Sequence, residues 1–341
     1  MIEDIKINKI TIGINRPAFI IAEIGATHNG NLQQCLDLIQ VACDCGAQAV
    51  KLQTVSPQHS YCQGTLSYEI FTKLSFSFDQ LKKIKNFADR LGIVIFTTPG
   101  DFPSLKLAKK LKFPLYKVSS GLMTNYPLIE EIAKENKPII LSTGMAYMYE
   151  VEKSLELIKK YNKKVIVLHC VSSYPCKDSI LNLKAIKKIF NNLHVISGFS
   201  DHSYDEHACS VALAMGAKVI EKHLALSDEL AGPERGVACT PDIFKKAVNN
   251  IRRTEKMLGT GEKRPNKVET LSRRLNRRTV ISLKQIKKGE KFSKNNISLM
   301  RGNEKHIGLD PDLFYKILGS KAQRDIKKNE PINIGMVLEN I

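Results

Sequence analysis

At 341 residues the chain exceeds one average domain, and its 43% hydrophobic and 25% charged residues are those of a folded globular protein, which excludes disordered, collagenous and fibrous classes. The net charge of +18 is unevenly placed: residues 1–250 carry 30 Lys and Arg against 24 Asp and Glu, whereas residues 251–341 carry 22 against 10. That basic quarter lacks the interleaved aromatics of a base-stacking surface, so no nucleic-acid partner is expected, and no apolar run reaches the ~18 residues of a membrane span.

From the amino terminus, Glu3 and Asp4 alternate with Lys6 and Lys9 without an apolar stretch, so no secretory signal is read and a cytoplasmic location is expected. Eight cysteines without CxxC spacing fit reduced, mostly buried thiols in that compartment. Short apolar runs then recur, each followed by a stretch of helical spacing. The predicted strands are 19–25 (FIIAEIG), 49–54 (AVKLQT), 94–99 (VIFTTP), 116–121 (YKVSSG), 138–144 (PIILSTG), 165–170 (VIVLHC), 195–202 (VISGFSDH) and 219–224 (VIEKHL). Amphipathic segments between them include 32–45, 78–91, 127–136, 149–161, 183–191 and 205–215. Eight strands buried on both faces, each followed by a helix, predict an α/β fold, a (β/α)8 TIM barrel, over residues 1–258. A doubly wound sheet is disfavoured because Gly25 is followed by Ala-Thr-His-Asn-Gly, not by a GxGxxG turn.

A charged stretch at 259–279 reads as a linker. Beyond it, residues 280–341 contain two near-copies, Ile286-Lys-Lys-Gly-Glu290 and Ile326-Lys-Lys-Asn-Glu330, which predict a small β-rich module with paired turns.

In such a barrel the reacting groups project from the carboxyl ends of the strands. Those ends supply Glu23, Lys51 with Gln53, Thr97 with Thr98, Lys117 with Ser119 and Ser120, Ser142 with Thr143, His169, Ser200 with Asp201 and His202, and Glu221 with His223. Lysines inside strands need an anion: Lys51 and Lys117 either hold a phosphate or carboxylate ligand or pair with a neighbouring Glu. His202 and His223 end adjacent strands and can converge on one cation, although either could be an ordinary hydrogen-bonded histidine. His28 and His169 have no evident partner.

The segments AEIGATHNG, VKLQT, TTPGD, YKVSSG, PIILSTGM, LHCVSSYP, GFSDHS and VIEKHL together resemble the bacterial sialic acid synthase family, and the last sixty residues or so resemble its antifreeze-like (SAF, β-clip) module. The resemblance implies a phosphoenolpyruvate-dependent transferase that forms a C–C bond with an N-acetylmannosamine-type aldehyde, giving a nonulosonic acid such as N-acetylneuraminate, and phosphate. It implies that Lys51, Thr98, Lys117, Ser120, Ser142 and Ser200 hold phosphoenolpyruvate, and that His202 and His223 ligate a divalent metal, manganese first, with magnesium or cobalt as alternatives. Glu23 and Gln53 would line the reacting centre, and Tyr174 and Glu234 would face the acceptor, with Glu23 and Glu234 as candidates for proton transfer. Arg301 would enter the partner subunit's barrel in a domain-swapped homodimer. Departures cluster around the acceptor: Glu234 replaces the usual Asp, Ser172 a common Asn, Leu122 the usual Glu and Gly302 the usual Pro, and the 55–77 loop is short. A legionaminate or pseudaminate synthase using a 6-deoxy diacetamido hexose therefore stays open. So does a Schiff-base aldolase with Lys117 as nucleophile.

Overall fold

The computed structural model describes residues 2–302 and 307–338. Two compact units are present, Met1–Gly259 and Thr260–Ile341. The first opens with an antiparallel hairpin, β1 (Ile5–Ile7) and β2 (Ile10–Ile12), in a segment the sequence patterning does not mark as strand. Eight parallel strands follow: β3 (Phe19–Glu23), β4 (Ala49–Thr54), β5 (Val94–Pro99), β6 (Tyr116–Val118), β7 (Ile139–Ser142), β8 (Val165–Cys170), β9 (Ile196–Asp201) and β10 (Val219–His223). They pair in chain order, and β10 closes the ring against both β9 and β3, completing the expected TIM barrel.

Strand parity organises this unit, because successive side chains alternate between the barrel interior and the helical layer. Inward residues near the strand starts, including Phe19, Ile21, Phe96, Ile140 and Ile166, pack into one cluster with Ile5, Ile7 and Ile12. The hairpin thus plugs the amino-terminal end of the barrel with apolar contacts. Outward residues such as Ile20, Val50, Tyr116 and Phe199 pack against the surrounding helices, so each strand is buried on both faces. Truncating one such aromatic to Ala costs about 3–5 kcal/mol by the usual cavity term.

Helix boundaries follow local chemistry. Helix Phe78–Leu91 starts at a capping box between Ser77 and Gln80 and stops at Gly92, whose φ of 74° suits a residue without Cβ. The 55–77 loop contains two short helices, Pro57–Ser60 and Leu66–Leu74.

In the second unit the stretch read as linker contains a helix, Glu269–Asn276, that buries no side chain. Its apolar residues are only Leu271 and Leu275, within a segment too short and too charged to be read as a helix from sequence. The module itself pairs β11 (Arg278–Ser282) with β12 (Ile297–Arg301), and β13 (Lys321–Ala322) with β14 (Val337–Leu338), around Val280, Ile286, Phe292, Ile326 and Ile332. The two sequence copies pair with each other, since Ile286 and Ile326 exchange backbone hydrogen bonds of 2.9 and 2.8 Å. Each copy turns identically: Gly289 and Asn329 take φ of 85° and 64°, and Glu290 and Glu330 accept from the backbone N–H of Lys287 and Lys327.

Candidate active site

The carboxyl ends of the strands surround a cavity of about 360 Å³, within the size range of small-molecule sites. Its wall includes Lys51, Gln53, Lys117, Ser119, Ser120, Ser142, Cys170, Ser172, Tyr174, Ser200, His202, Glu221 and His223. Strand parity explains this membership. Lys51 and Gln53 share the inward face of β4 with Ala49, and Glu221 and His223 share that of β10 with Val219.

The floor is ionic. Glu221 Oε1 accepts from Lys51 Nζ at 3.1 Å, Lys117 Nζ at 2.6 Å and Ser200 Oγ at 2.9 Å, and its Oε2 accepts from Lys117 Nζ at 2.7 Å. Lys51 Nζ also lies 2.8 Å from Glu23 Oε2. Both lysines therefore meet internal carboxylates, the second of the two readings their sequence context allowed. Burial acts to raise the Glu221 carboxyl, but the ammonium groups of Lys117 and Lys51 outweigh it and hold the group below the usual carboxylate range. Burial, with Lys117 adding repulsion, draws Lys51 below the usual lysine range against the pull of Glu221.

Glu23 is fully buried behind this floor, its Oε1 accepting from Gly25 N at 2.9 Å and Gln53 Nε2 at 3.0 Å. It fixes Gln53 and Lys51 and does not form part of the cavity wall. A Cβ at Gly25 would come within 2.5 Å of both Gln53 Cγ and Glu23 Oε1, so this strand exit requires glycine. Thr98 stands beside Gln53 in the β4–β5 ladder, buried and not part of the cavity wall. Its hydroxyl and that of Ser142 are buried without a hydrogen-bond partner among the described residues. Ser120 Oγ accepts from Gly144 N at 2.9 Å.

On the other side stand the two histidines, with ring centroids 5.2 Å apart. His202 Nδ1 lies 2.7 Å from Val171 O, and His223 Nδ1 lies 2.9 Å from Glu234 Oε2. Each acceptor requires the proton on Nδ1, which leaves both Nε2 lone pairs as donors to a cation. That arrangement fits a two-histidine share of a divalent metal. Among the described residues no group of three or more His, Cys, Asp or Glu side chains could hold an ion. Tyr174 stacks on His202 at 4.3 Å, and its hydroxyl lies 3.2 Å from His202 Nε2. Glu234 lies against His223 outside the cavity wall. Cys170 lines the wall with its Sγ 3.7 Å from His202 Nδ1.

His169 and His28 do not join this group. His169 points outward and its Nε2 lies 2.7 Å from Leu181 O. His28 packs on the Phe76 ring, and its Nδ1 accepts from Gly30 N at 3.0 Å. Arg301 belongs to the second unit, where its guanidinium bonds Leu275 O at 3.2 Å and the Asn276 side chain. Among the wall residues, Glu221 was a strand-end candidate without an assigned role, and Cys170 was not singled out from sequence. The available signal was parity, since Glu221 lies two positions before His223 and Cys170 two after the core residue Leu168.

Comparison with known proteins agrees with a barrel followed by a small second domain. Residues 38–263 match the NeuB family and residues 277–338 match the SAF domain. The chain is 33% identical to the N,N'-diacetyllegionaminic acid synthase of Campylobacter jejuni over 93% of this chain and 99% of that protein. It is 33% identical to the pseudaminic acid synthase of Helicobacter pylori, over 93% of this chain and 97% of that one. The crystal structure of N-acetylneuraminic acid synthetase from Leptospira borgpetersenii, in complex with citrate, superposes with a TM-score of 0.76 at 32% identity, covering 79% of this chain and 94% of that one. The chain thus belongs to the NeuB family, with a TIM barrel followed by a C-terminal SAF domain.

Proposed function

We propose that the barrel condenses phosphoenolpyruvate with an open-chain acetamido-sugar aldehyde, yielding a nonulosonic acid and phosphate. The observation that carries this reading is the convergence, in one cavity, of two buried lysines and several hydroxyls with two imidazoles tied through Nδ1 to Val171 O and Glu234 Oε2. The lysines and hydroxyls suit a small polyanion, and the imidazoles suit a divalent cation, manganese first, with magnesium or cobalt as alternatives. Such a cation would supply a Lewis acid for the acceptor's carbonyl oxygen.

Lys51, Lys117, Ser120, Ser142, Ser200 and Thr98 would grip the phosphate and carboxylate of phosphoenolpyruvate, with Lys117 exchanging a Glu221 oxygen for one of the ligand. Held in this way, C3 of the enol attacks the aldehyde carbon, water adds at C2, and phosphate leaves with cleavage of its C–O bond. Glu23 orients Lys51 and Gln53, Glu234 orients His223, and Tyr174 stands over the histidines where the acceptor enters. The subunits form a domain-swapped homodimer in which Arg301 grips the acceptor in the partner's barrel.

A Schiff-base aldolase needs Lys117 neutral in an apolar pocket. Its two contacts of 2.6 and 2.7 Å with the Glu221 carboxylate favour an ion pair instead. The acceptor is N-acetylmannosamine or, as the names of the two 33% identical relatives suggest, a 6-deoxy diacetamido hexose leading to legionaminate or pseudaminate. Phosphate release with manganese and each acceptor in turn tests the reading. One acceptor should give stoichiometric phosphate and a nonulosonic acid. Release from none of them, or borohydride trapping of a pyruvate imine on Lys117, would refute it.

A further inference from the structure

Directly outside the two histidines lies an ion pair that the proposed reaction does not use. Asp201 and Lys222 face each other in the β9–β10 ladder, each immediately preceding one histidine in sequence. Parity sends His202 and His223 inward and this pair outward, under helix His207–Ala214, where both are buried. Lys222 Nζ lies 2.8 Å from Asp201 Oδ2 and donates to Ser203 O at 2.7 Å. Asp201 Oδ1 accepts from Ser203 N at 2.8 Å and Ser203 Oγ at 2.7 Å, and its Oδ2 accepts from Cys209 Sγ at 3.2 Å.

His202 is thereby held from both sides. The residue before it and the residue after it are tied to one ammonium, and that ammonium belongs to the residue preceding His223. A buried ion pair is seldom more stable than an apolar pair of similar volume, so stability alone does not explain it. Directional bonds that fix one strand end against the other do, because an apolar replacement would fill the space without setting register or angle.

We propose that Asp201 and Lys222 are positioning residues of the two-imidazole site, which set the separation and orientation of His202 and His223 and through them the affinity for a divalent cation. This rests on the reading of those histidines as metal ligands. Partners that orient metal-binding histidines are commonly worth about 10–100-fold in metal affinity.

The test titrates manganese into the full-length protein, with free ion followed by electron paramagnetic resonance and fold by circular dichroism. His202→Ala should abolish binding, and Lys222→Met should weaken it about 10–100-fold in folded protein, as expected of a residue acting through the ligands. Lys222→Arg, which can restore the ion pair, should recover part of the loss. Should Lys222→Met misfold, the uncharged double variant Asp201→Asn, Lys222→Met leaves no buried charge and should show the same weakening. Wild-type affinity in folded Lys222→Met or in the double variant overturns the positioning role. Unchanged affinity in His202→Ala, or no binding by the wild type, overturns the metal reading and the proposal with it.

Discussion

Replacing Glu221 with Gln tests the electrostatics of the cavity floor. In the native site two ammonium groups, Lys51 and Lys117, face two carboxylates, Glu23 and Glu221. The substitution removes one negative charge and leaves Lys117, which is 1% exposed, without its ionic partner. Breaking a buried pair from one side costs about 3–5 kcal/mol, so unfolding of the barrel should shift by that amount. Phosphoenolpyruvate should restore part of the loss, because an external anion can now take the bonds that Glu221 held. One charge-assisted hydrogen bond regained is worth about 1.5–3 kcal/mol, roughly a tenfold to hundredfold tighter Kd. The chain has no tryptophan, so urea unfolding followed by circular dichroism, with and without phosphoenolpyruvate, is the assay, and calorimetry supplies the Kd. A variant as stable as the wild type, or one that binds phosphoenolpyruvate more weakly, would contradict the role given to Glu221.

Chelation should abolish turnover and manganese restore it, and full activity after exhaustive chelation would contradict the role given to His202 and His223. Burial, opposed only in part by Glu234, pushes His28 down to about 4 from an ordinary 6.5. The unfolded chain therefore binds this proton first, and stability present above pH 6.5 is lost as pH falls toward 4, by up to about 3 kcal/mol. His28→Asn, whose Oδ1 can replace Nδ1 as acceptor for Gly30 N, should flatten that slope in urea titrations at several pH values. For the swapped dimer, Arg301→Ala should raise the acceptor's KM and leave phosphoenolpyruvate affinity nearly unchanged. Mixing Arg301→Ala with Lys117→Ala subunits should regenerate one working site per heterodimer, and no recovery in confirmed heterodimers would mean that each barrel is served by its own module.

The barrel was legible because its strands are buried on both faces and read as apolar runs between helical patterns. The lysines and the histidine pair were legible because charged and imidazole side chains are unusual at strand ends. What met what was not. Glu221 on β10 and Lys117 on β6 lie four strands apart around an eight-strand ring, and only closure of the barrel lets them touch across it. The partner of Glu234 was likewise hidden, since the turn carrying it folds back onto His223 eleven residues earlier. Helix Glu269–Asn276 and the β1–β2 hairpin escaped for a simpler reason, both being too short for a period to be read.

If this cavity joins phosphoenolpyruvate to a sugar aldehyde through C3 and expels phosphate by breaking the C–O bond, the bridging oxygen must leave with the phosphate. Phosphoenolpyruvate labelled with oxygen-18 at the bridging position, reacted with the accepted sugar and manganese and analysed by mass spectrometry, tests it directly. The label should appear in the released phosphate and not in the nonulosonic acid. Label retained at C2 of the product, or phosphate released without a new C–C bond, would contradict it.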